Sequence, residues 1–140
     1  MSSNPVRPLD NKLLSALPAA QMGLLTPHMT TEKLAQGLVL LEEGDEFDQV
    51  YFPLSGMLSL LVVMDDGKAI EVATVGREGV VGAMAGLGLY KSSVRVVVQL
   101  PTSATRIAAP QFRKAVDNSK AVRDVCLGYN EVNRLGDWNP

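Results

Sequence analysis

The sequence has few of the residues that metal centres and covalent cross-links require. Its 140 residues include one cysteine, Cys126, and one histidine, His28. A single cysteine excludes a disulfide within the chain and a four-thiolate zinc or iron–sulfur site. A single histidine excludes a histidine-rich metal centre and makes a Ser/His/Asp triad implausible. The P-loop motif G-x-x-x-x-G-K-S/T is absent. We therefore expect that the chain is not an enzyme and holds no metal.

Long apolar runs and an excess of positive charge are also missing. The first residues, MSSNPVRPLDNK, contain no apolar run of the kind that a secretory signal needs. No stretch reaches the roughly 18 apolar residues that span a membrane. Lysine and arginine total 13 against 15 aspartate and glutamate, a formal net charge of −2, whereas nucleic-acid-binding domains are commonly basic. The sequence predicts a cytoplasmic protein that contacts neither a membrane nor DNA directly.

The remaining composition suits one folded domain. Hydrophobic residues make up 46% of the chain, and 140 residues is a usual domain size. Residues 1–10 predict a disordered lead-in, and residues 11–140 predict a single domain. Two short helices begin it, the first capped by Asp10 and the second running over Ala19–Leu25 before Pro27.

The central segment has the rhythm of an antiparallel β structure. From Glu32, short apolar runs recur every ten residues or so and are broken by Gly, Pro and Asp, which is typical of an all-β sandwich or barrel. The clearest element is a hairpin of Met57–Met64 and Lys68–Val75, because the Asp-Gly pair ending at Gly67 supplies the positive φ of a tight turn. The segment Val80–Leu87 breaks this rhythm and predicts one short helix.

From Pro110 to about residue 135 the apolar period returns to 3.6, which predicts helices. A first apolar edge consists of Phe112, Ala115 and Val116. A second stripe follows Ser119, a possible cap, at spacings of three and four. Its members are Val122, Val125, Cys126, Tyr129 and Val132. Since the first edge already supplies a helix to cover the β structure, the second stripe has no obvious partner within the chain. We expect it to form a homodimer interface.

A glycine-rich stretch, GREGVVGAMAGLG, occupies residues 76–88. It contains five of the chain's 12 glycines. Clustered glycines let backbone amides surround an anion, and they equally serve tight turns and helix ends. The sequence alone leaves both interpretations open.

The order of helices, strands, glycine-rich loop and amphipathic helix resembles the cyclic-nucleotide-binding domain of the CRP/FNR transcription regulators. The resemblance covers roughly residues 12–132. The motifs that carry it, in order, are Gly44-Asp45, VYFPLSG at 50–56, Asp66-Gly67-Lys68, VGREGVVG at 75–82, and Phe112. It implies a mainly β fold with flanking helices. The expected architecture is a jelly-roll-like β-roll (a double-stranded β-helix) over about 32–108, with N-terminal helices and a long dimer-forming helix among the C-terminal helices at about 110–135.

The resemblance also implies that the glycine-rich loop is a phosphate-binding cassette. In the family a Gly-Glu pair holds the ribose 2′-OH, and an Arg followed by a small hydroxyl residue holds the phosphate. The corresponding residues here are Gly82, Ala83, Ser92 and Ser93, with Met84 next in the loop. The carboxylate and the guanidinium are therefore missing, and we expect cAMP to bind weakly or not at all.

Two cations near the ends of this loop, Arg77 and Lys91, are candidate anion partners, although solvated surface charges are the commoner role. Arg95 shares a strand face with Ser93 rather than Ser92, so it does not replace the missing arginine. The family's base-contacting positions fall at 136–138, in a stretch without helical character. A cyclic nucleotide or another small anion remains the expected kind of ligand, without a named compound.

Two functions fit these observations. The first is the ligand-sensing regulatory domain of a CRP/FNR-type transcription regulator with a degenerate cassette. The 140 residues leave no room for a helix-turn-helix, so we expect no direct DNA binding by this chain. The alternative is a stand-alone dimerising or partner-binding module that has lost nucleotide binding.

Overall fold

The computed structural model describes residues 7–129, and its backbone is mainly antiparallel β with helices at both ends. Four α-helices flank the strands. They are α1 (Lys12–Ser15), α2 (Ala19–Leu25), α3 (Ala109–Asn118) and α4 (Lys120–Tyr129). Five strands lie between them. They are β1 (Met29–Leu34), β2 (Val39–Leu41), β3 (Gln49–Val63), β4 (Ala69–Val75) and β5 (Arg95–Ala108). Three short 3₁₀ helices complete the order, at Pro8–Asp10, Thr26–His28 and Ala83–Leu87. The 3₁₀ helix Ala83–Leu87 is the cassette helix.

The two long strands, β3 and β5, form the centre of the sheet. They pair antiparallel from Gln49 opposite Ala108 to Leu61 opposite Arg95, with register shifts between Pro53 and Leu58. On its other side, the second half of β5 pairs with β1 and the first half pairs with β2. This mainly antiparallel arrangement, with a long strand paired to different neighbours along its two halves, is consistent with the β-roll that the resemblance implied.

The predicted hairpin is confirmed. Strand β4 pairs with the second half of β3, and the turn between them has Gly67 at φ +87°, as the Asp-Gly pair indicated. The side chains of Val50, Phe52 and Ile107 alternate inward and are fully buried. Helix α3 covers them, with the rings of Phe52 and Phe112 in an edge-on contact at a centroid distance of 6.1 Å.

Ordered structure begins earlier than the predicted lead-in allowed. Residues Pro8–Asp10 form a 3₁₀ turn, while residues 1–6 lie outside the described part of the chain. The first helix is capped by Asn11 rather than by Asp10. The Asp10 carboxylate instead accepts a hydrogen bond of 2.9 Å from the backbone N–H of Arg7. Helix α2 has the predicted bounds.

The C-terminal helices break where the sequence indicated. Ser119 is extended, with φ −143°, and its Oγ accepts a 3.2 Å hydrogen bond from the N–H of Val122, as an N-cap residue does. Among the described residues of this region there are therefore two helices, each of 10 residues. Within residues 7–129, no helix combines the length and apolar character needed to cross a membrane.

Candidate functional site

The glycine-rich loop leads from β4 into the cassette helix through a sharp bend at Gly82. Just before the bend, Val81 and Tyr51 exchange two backbone hydrogen bonds of 2.9 Å. Gly82 then adopts φ +92°, a conformation that residues with a Cβ rarely adopt. A Cβ at this position would lie 3.0 Å from the ring of Phe47 and 3.1 Å from the carbonyl oxygen of Gln49. Gly82 is thus required by the backbone bend and by a close neighbour, which supports the structural interpretation of this glycine.

The loop is anchored to the N-terminal helices by one buried side chain. Asn11 is 0% exposed, and its Nδ2 donates to the carbonyl oxygens of Pro53 at 2.8 Å and Gly79 at 2.9 Å. Its Oδ1 accepts from the N–H groups of Leu13 at 2.9 Å and Leu14 at 3.2 Å. The Asn11 side chain therefore makes four hydrogen bonds, two as donor and two as acceptor. These bonds connect α1, β3 and the loop before Gly82.

The two serines at the carried-over phosphate positions have different environments. Ser92 is 4% exposed, and its Oγ donates to the carbonyl oxygen of Val94 at 2.6 Å and accepts from the Val94 N–H at 3.2 Å. Ser93 is exposed. The buried hydroxyl at position 92 is therefore engaged in a local turn, and it brings no positive charge to the site.

The first turn of the cassette helix also has no ionisable group. Ala83 is 0% exposed, and Met84 is partly buried. The chain closes behind this helix through hydrogen bonds from the N–H of Leu89 to Met84 and from the N–H of Gly88 to Ala85, at 3.1 and 3.0 Å. Gly82 thus precedes the cassette helix, and Ala83 and Met84 are its first two residues. Whether these residues bind a ligand stays a prediction.

An acidic segment borders the cassette. Residues 42–48, EEGDEFD, include five carboxylates among seven residues. Backbone hydrogen bonds join this segment to the turn that follows the cassette helix: Gly44 to Ser92 and Ser92 to Asp45 at 2.8 Å, and Phe47 to Tyr90 at 2.5 Å. The Phe47 ring is buried against Gly82, while its neighbours Glu46 and Asp48 are exposed. The acidic segment therefore runs beside the turn that carries Ser92, where the resemblance places a phosphate contact.

One nearby cation offsets part of this charge. Arg95 forms a 2.6 Å ion pair with Glu42. Arg77 and Lys91, the candidate anion partners, are both exposed and form no ion pair with another residue of the described range 7–129. In the same range, His, Cys, Asp and Glu side chains do not gather in threes as a metal site requires.

The predicted dimer stripe on α4 is partly covered by the chain itself. Val122 and Cys126 are 0% exposed and belong to the core, and Val125 is partly buried against it. The expectation that this stripe has no partner within the chain is therefore wrong for these residues. The reason is the break at Ser119, which lets α4 fold back against α3 and the cassette helix. Burial raises the pKa of the Cys126 thiol to about 12. The side chain of Tyr129 and all of Val132 lie outside the described residues.

Two residues of this region were missed by sequence reasoning. Asn11 had a usable signal, because Asn directly before an apolar helical pattern is a preferred N-cap. Phe47 had none, since a single aromatic residue between acidic ones does not reveal which backbone it contacts.

Comparison with known proteins agrees with this geometry. A family model described as cyclic nucleotide-binding domain matches residues 31–119. A search of curated proteins gave no match.

Several solved structures share the fold. The N-terminal domain of a transcriptional regulator from Streptomyces coelicolor is 20% identical, with a TM-score of 0.68 and 94% of each chain covered. A mutant regulatory subunit of a cAMP-independent protein kinase A from Trypanosoma brucei, bound to cAMP in the A site, is 19% identical with a TM-score of 0.71. The match covers 95% of this chain and 45% of that chain, so this chain spans less than half of that regulatory subunit. The regulatory domain of Toxoplasma gondii protein kinase A with cAMP is 15% identical, with a TM-score of 0.72 and coverage of 93% of this chain and 47% of that chain.

These likenesses show the fold, and the family model covers most of the sequence. The chain belongs to the cyclic nucleotide-binding domain family.

Proposed function

We propose that this chain is the ligand-sensing regulatory domain of a CRP/FNR-type transcription regulator, with a cassette that does not hold a cyclic nucleotide tightly. The observation that carries this proposal is the environment of position 92. Where the resemblance implies an arginine, there is a buried serine whose hydroxyl is hydrogen-bonded to the backbone of Val94. The Streptomyces neighbour, which is the N-terminal domain of a transcriptional regulator, supports the choice of regulator class.

The electrostatics of the site point the same way. A phosphate that leaves water needs a cation or several donors, and each charge-assisted hydrogen bond contributes about 1.5–3 kcal/mol. A bidentate arginine makes two such bonds, so its absence weakens binding by roughly 100-fold or more. Of the five carboxylates at 42–48, Glu42 is paired with Arg95, and the other four are exposed and supply no positive charge for an anionic ligand.

One structural neighbour supports a fold of this kind that works without cAMP. The Trypanosoma brucei regulatory subunit belongs to a protein kinase A described as cAMP-independent. Its cAMP-bound form is a triple mutant, in which one substitution replaces threonine by arginine. In that neighbour, the form with bound cAMP carries an added arginine. This is consistent with our proposal that the missing arginine weakens cAMP binding in this chain.

Calorimetry with cAMP and cGMP tests the proposal. We expect no binding, or a dissociation constant well above about 1 µM, and a tighter value for the wild-type chain overturns the degenerate cassette. The double substitution Ala83→Glu with Ser92→Arg restores the missing pair and should raise the affinity. The control is Ala83→Glu with Ser93→Arg, which adds the same charges but places the guanidinium at an exposed position. Thermal unfolding of both variants shows whether they remain folded.

The alternative, a dimerising or partner-binding module without a small ligand, is favoured by the exposed acidic segment. A cavity of about 260 Å³ lies beside Glu46 and Asp48 and is also lined by Leu40, Gln49 and Tyr51. A thermal-shift screen against nucleotides and small anions separates the two functions. Stabilisation by a ligand supports the sensor, and no stabilisation by any of them supports the module.

A further inference from the structure

A groove outside the β-roll combines basic, amide and apolar groups. It lies between α2, the following 3₁₀ turn and α3, and has a volume of about 240 Å³. Six residues line it: Leu24, His28, Gln111, Lys114, Ala115 and Asn118. Its position is separate from the cassette, so the inference does not depend on the proposed function.

Helix α3 supplies four of these residues along one face. Gln111, Lys114 and Asn118 are spaced by three and four residues, which places them one above another on a helix. Asn118 is held there by a 2.8 Å hydrogen bond from its Nδ2 to the carbonyl oxygen of Lys114. A different face of the same helix carries the buried Phe112 and Val116. The groove is therefore built on a helix whose inner face is fixed in the core.

The lining has the chemistry of an anion site with an apolar floor. Among residues 7–129, Lys114 has no ion-pair partner, and the six lining residues include no carboxylate. The ring N–H of His28 and the amide of Gln111 are further donors. Leu24, which is 41% exposed, presents hydrocarbon to the same space, and Ala115, which is only 5% exposed, lies at its floor. In a chain with a net charge of −2, this local combination suits a ligand with one negative group and an apolar body.

We propose that this groove binds a small organic carboxylate. The carboxylate pairs with the Lys114 ammonium and accepts hydrogen bonds from His28 and Gln111, while the hydrocarbon part packs on Leu24 and Ala115. The volume is below the roughly 300–1,000 Å³ of pockets that take drug-sized ligands, so the occupant is smaller than a nucleotide.

The site lies where a ligand can act on the rest of the domain. On the inner face of α3, Val116 and Phe112 are close enough to Gly86 of the cassette helix that a Cβ there would meet them at 2.9 and 3.0 Å. Helix α3 is thus in contact with the cassette on one face and with the groove on another. A carboxylate bound in the groove therefore lies on a helix that also packs against the cassette helix.

An NMR titration of the full chain with sodium benzoate tests the site. We expect saturable amide shift changes in the millimolar range, centred on residues 24–28 and 111–118. Benzamide, which has the same ring without the charge, should give much smaller changes, and sodium chloride at equal ionic strength is the reference. The substitution Lys114→Gln should weaken benzoate binding about tenfold or more. The control Lys68→Gln removes one positive charge at the exposed hairpin turn and should leave binding unchanged.

Three results overturn the proposal. The first is a set of shift changes that does not saturate. The second is shift changes centred on residues 82–93. The third is a Lys114→Gln variant that binds benzoate as tightly as the wild type does. Shifts at residues 82–93 report binding at the cassette, so this experiment keeps the groove and the proposed function apart.

Discussion

Asn11 is a fully buried polar residue whose side chain makes four hydrogen bonds. Replacing it by alanine removes the cap of α1 and leaves the buried carbonyl groups of Pro53 and Gly79 without their donor. The combined loss should be about 2–4 kcal/mol of unfolding free energy, measured by urea denaturation. Asn118→Ala is the matched control, because that side chain is exposed and makes one local bond. A cost below that of the control contradicts the role of Asn11.

Gly82 tests how tightly the cassette bend is packed. Both Gly82 and Gly67 have positive φ, +92° and +87°, so an alanine at either position carries the backbone cost of about 1–2 kcal/mol. A Cβ at Gly67 meets nothing within 4 Å, whereas at Gly82 it meets Phe47 and Gln49. We expect Gly82→Ala to lose about 1–3 kcal/mol more than Gly67→Ala in parallel denaturant titrations. Equal losses show that Phe47 moves freely.

The prediction that Asp10 caps the first helix was wrong by one residue for a physical reason. The residue at the cap is fully buried and must donate two hydrogen bonds as well as accept two. A carboxylate has no donor, whereas an amide has both groups. Sequence pattern identifies the helix start, but the need for a donor arises from Pro53 and Gly79, which are distant in the chain.

At the scale of elements, local sequence patterns predicted individual helices and strands, but they did not predict which elements pack against one another. The β3–β4 hairpin follows from its Asp-Gly turn, and α4 follows from its period and from Ser119. Pro101 interrupts the apolar pattern of β5 in the sequence, yet the strand continues through that residue. The α4 stripe shows which face is apolar without showing what covers it. The cover is α3 and the cassette helix, and only the chain's path determines that.

The burial of Cys126 on α4 makes its thiol a probe of that helix. Burial raises the pKa from 9.0 to about 12, so the thiol stays protonated in the folded chain. We expect almost no reaction with Ellman's reagent at pH 8 and complete reaction in denaturant. Rapid reaction of the folded chain contradicts the packing of α4. Since the folded thiol holds its proton more tightly, this group's contribution to stability is complete below about pH 9 and is lost as the pH rises toward 12.

At the scale of the whole molecule, the homodimer through α4 stays a prediction. Fewer residues of the stripe are available for its interface, because Val122 and Cys126 are buried in the core. Val122 faces the core and Val125 is only partly buried. Val125→Glu should therefore split a dimer into folded monomers, because it places an unpaired charge in the interface. Val122→Glu should unfold the chain instead. Light scattering at micromolar concentrations, with circular dichroism on each variant, measures both. A wild-type mass of one chain at all concentrations contradicts the dimer.

The family was predictable because its motifs lie in a fixed order along the chain, each with its own turn chemistry. The state of the cassette was predictable only in part. The absence of Glu and Arg is visible at Ala83 and Ser92, but the bond between Ser92 and Val94 and the acidic border at 42–48 depend on folding.

The pairing of β5 has a consequence for how the protein is made. It is the last of the five strands in sequence, yet β1, β2 and β3 all pair with it. On the ribosome, three strands emerge before their shared partner exists, and only the β3–β4 hairpin can close early. Unpaired strands invite association with other chains. The sheet can therefore complete its pairing only after residues 95–108 have emerged from the ribosome.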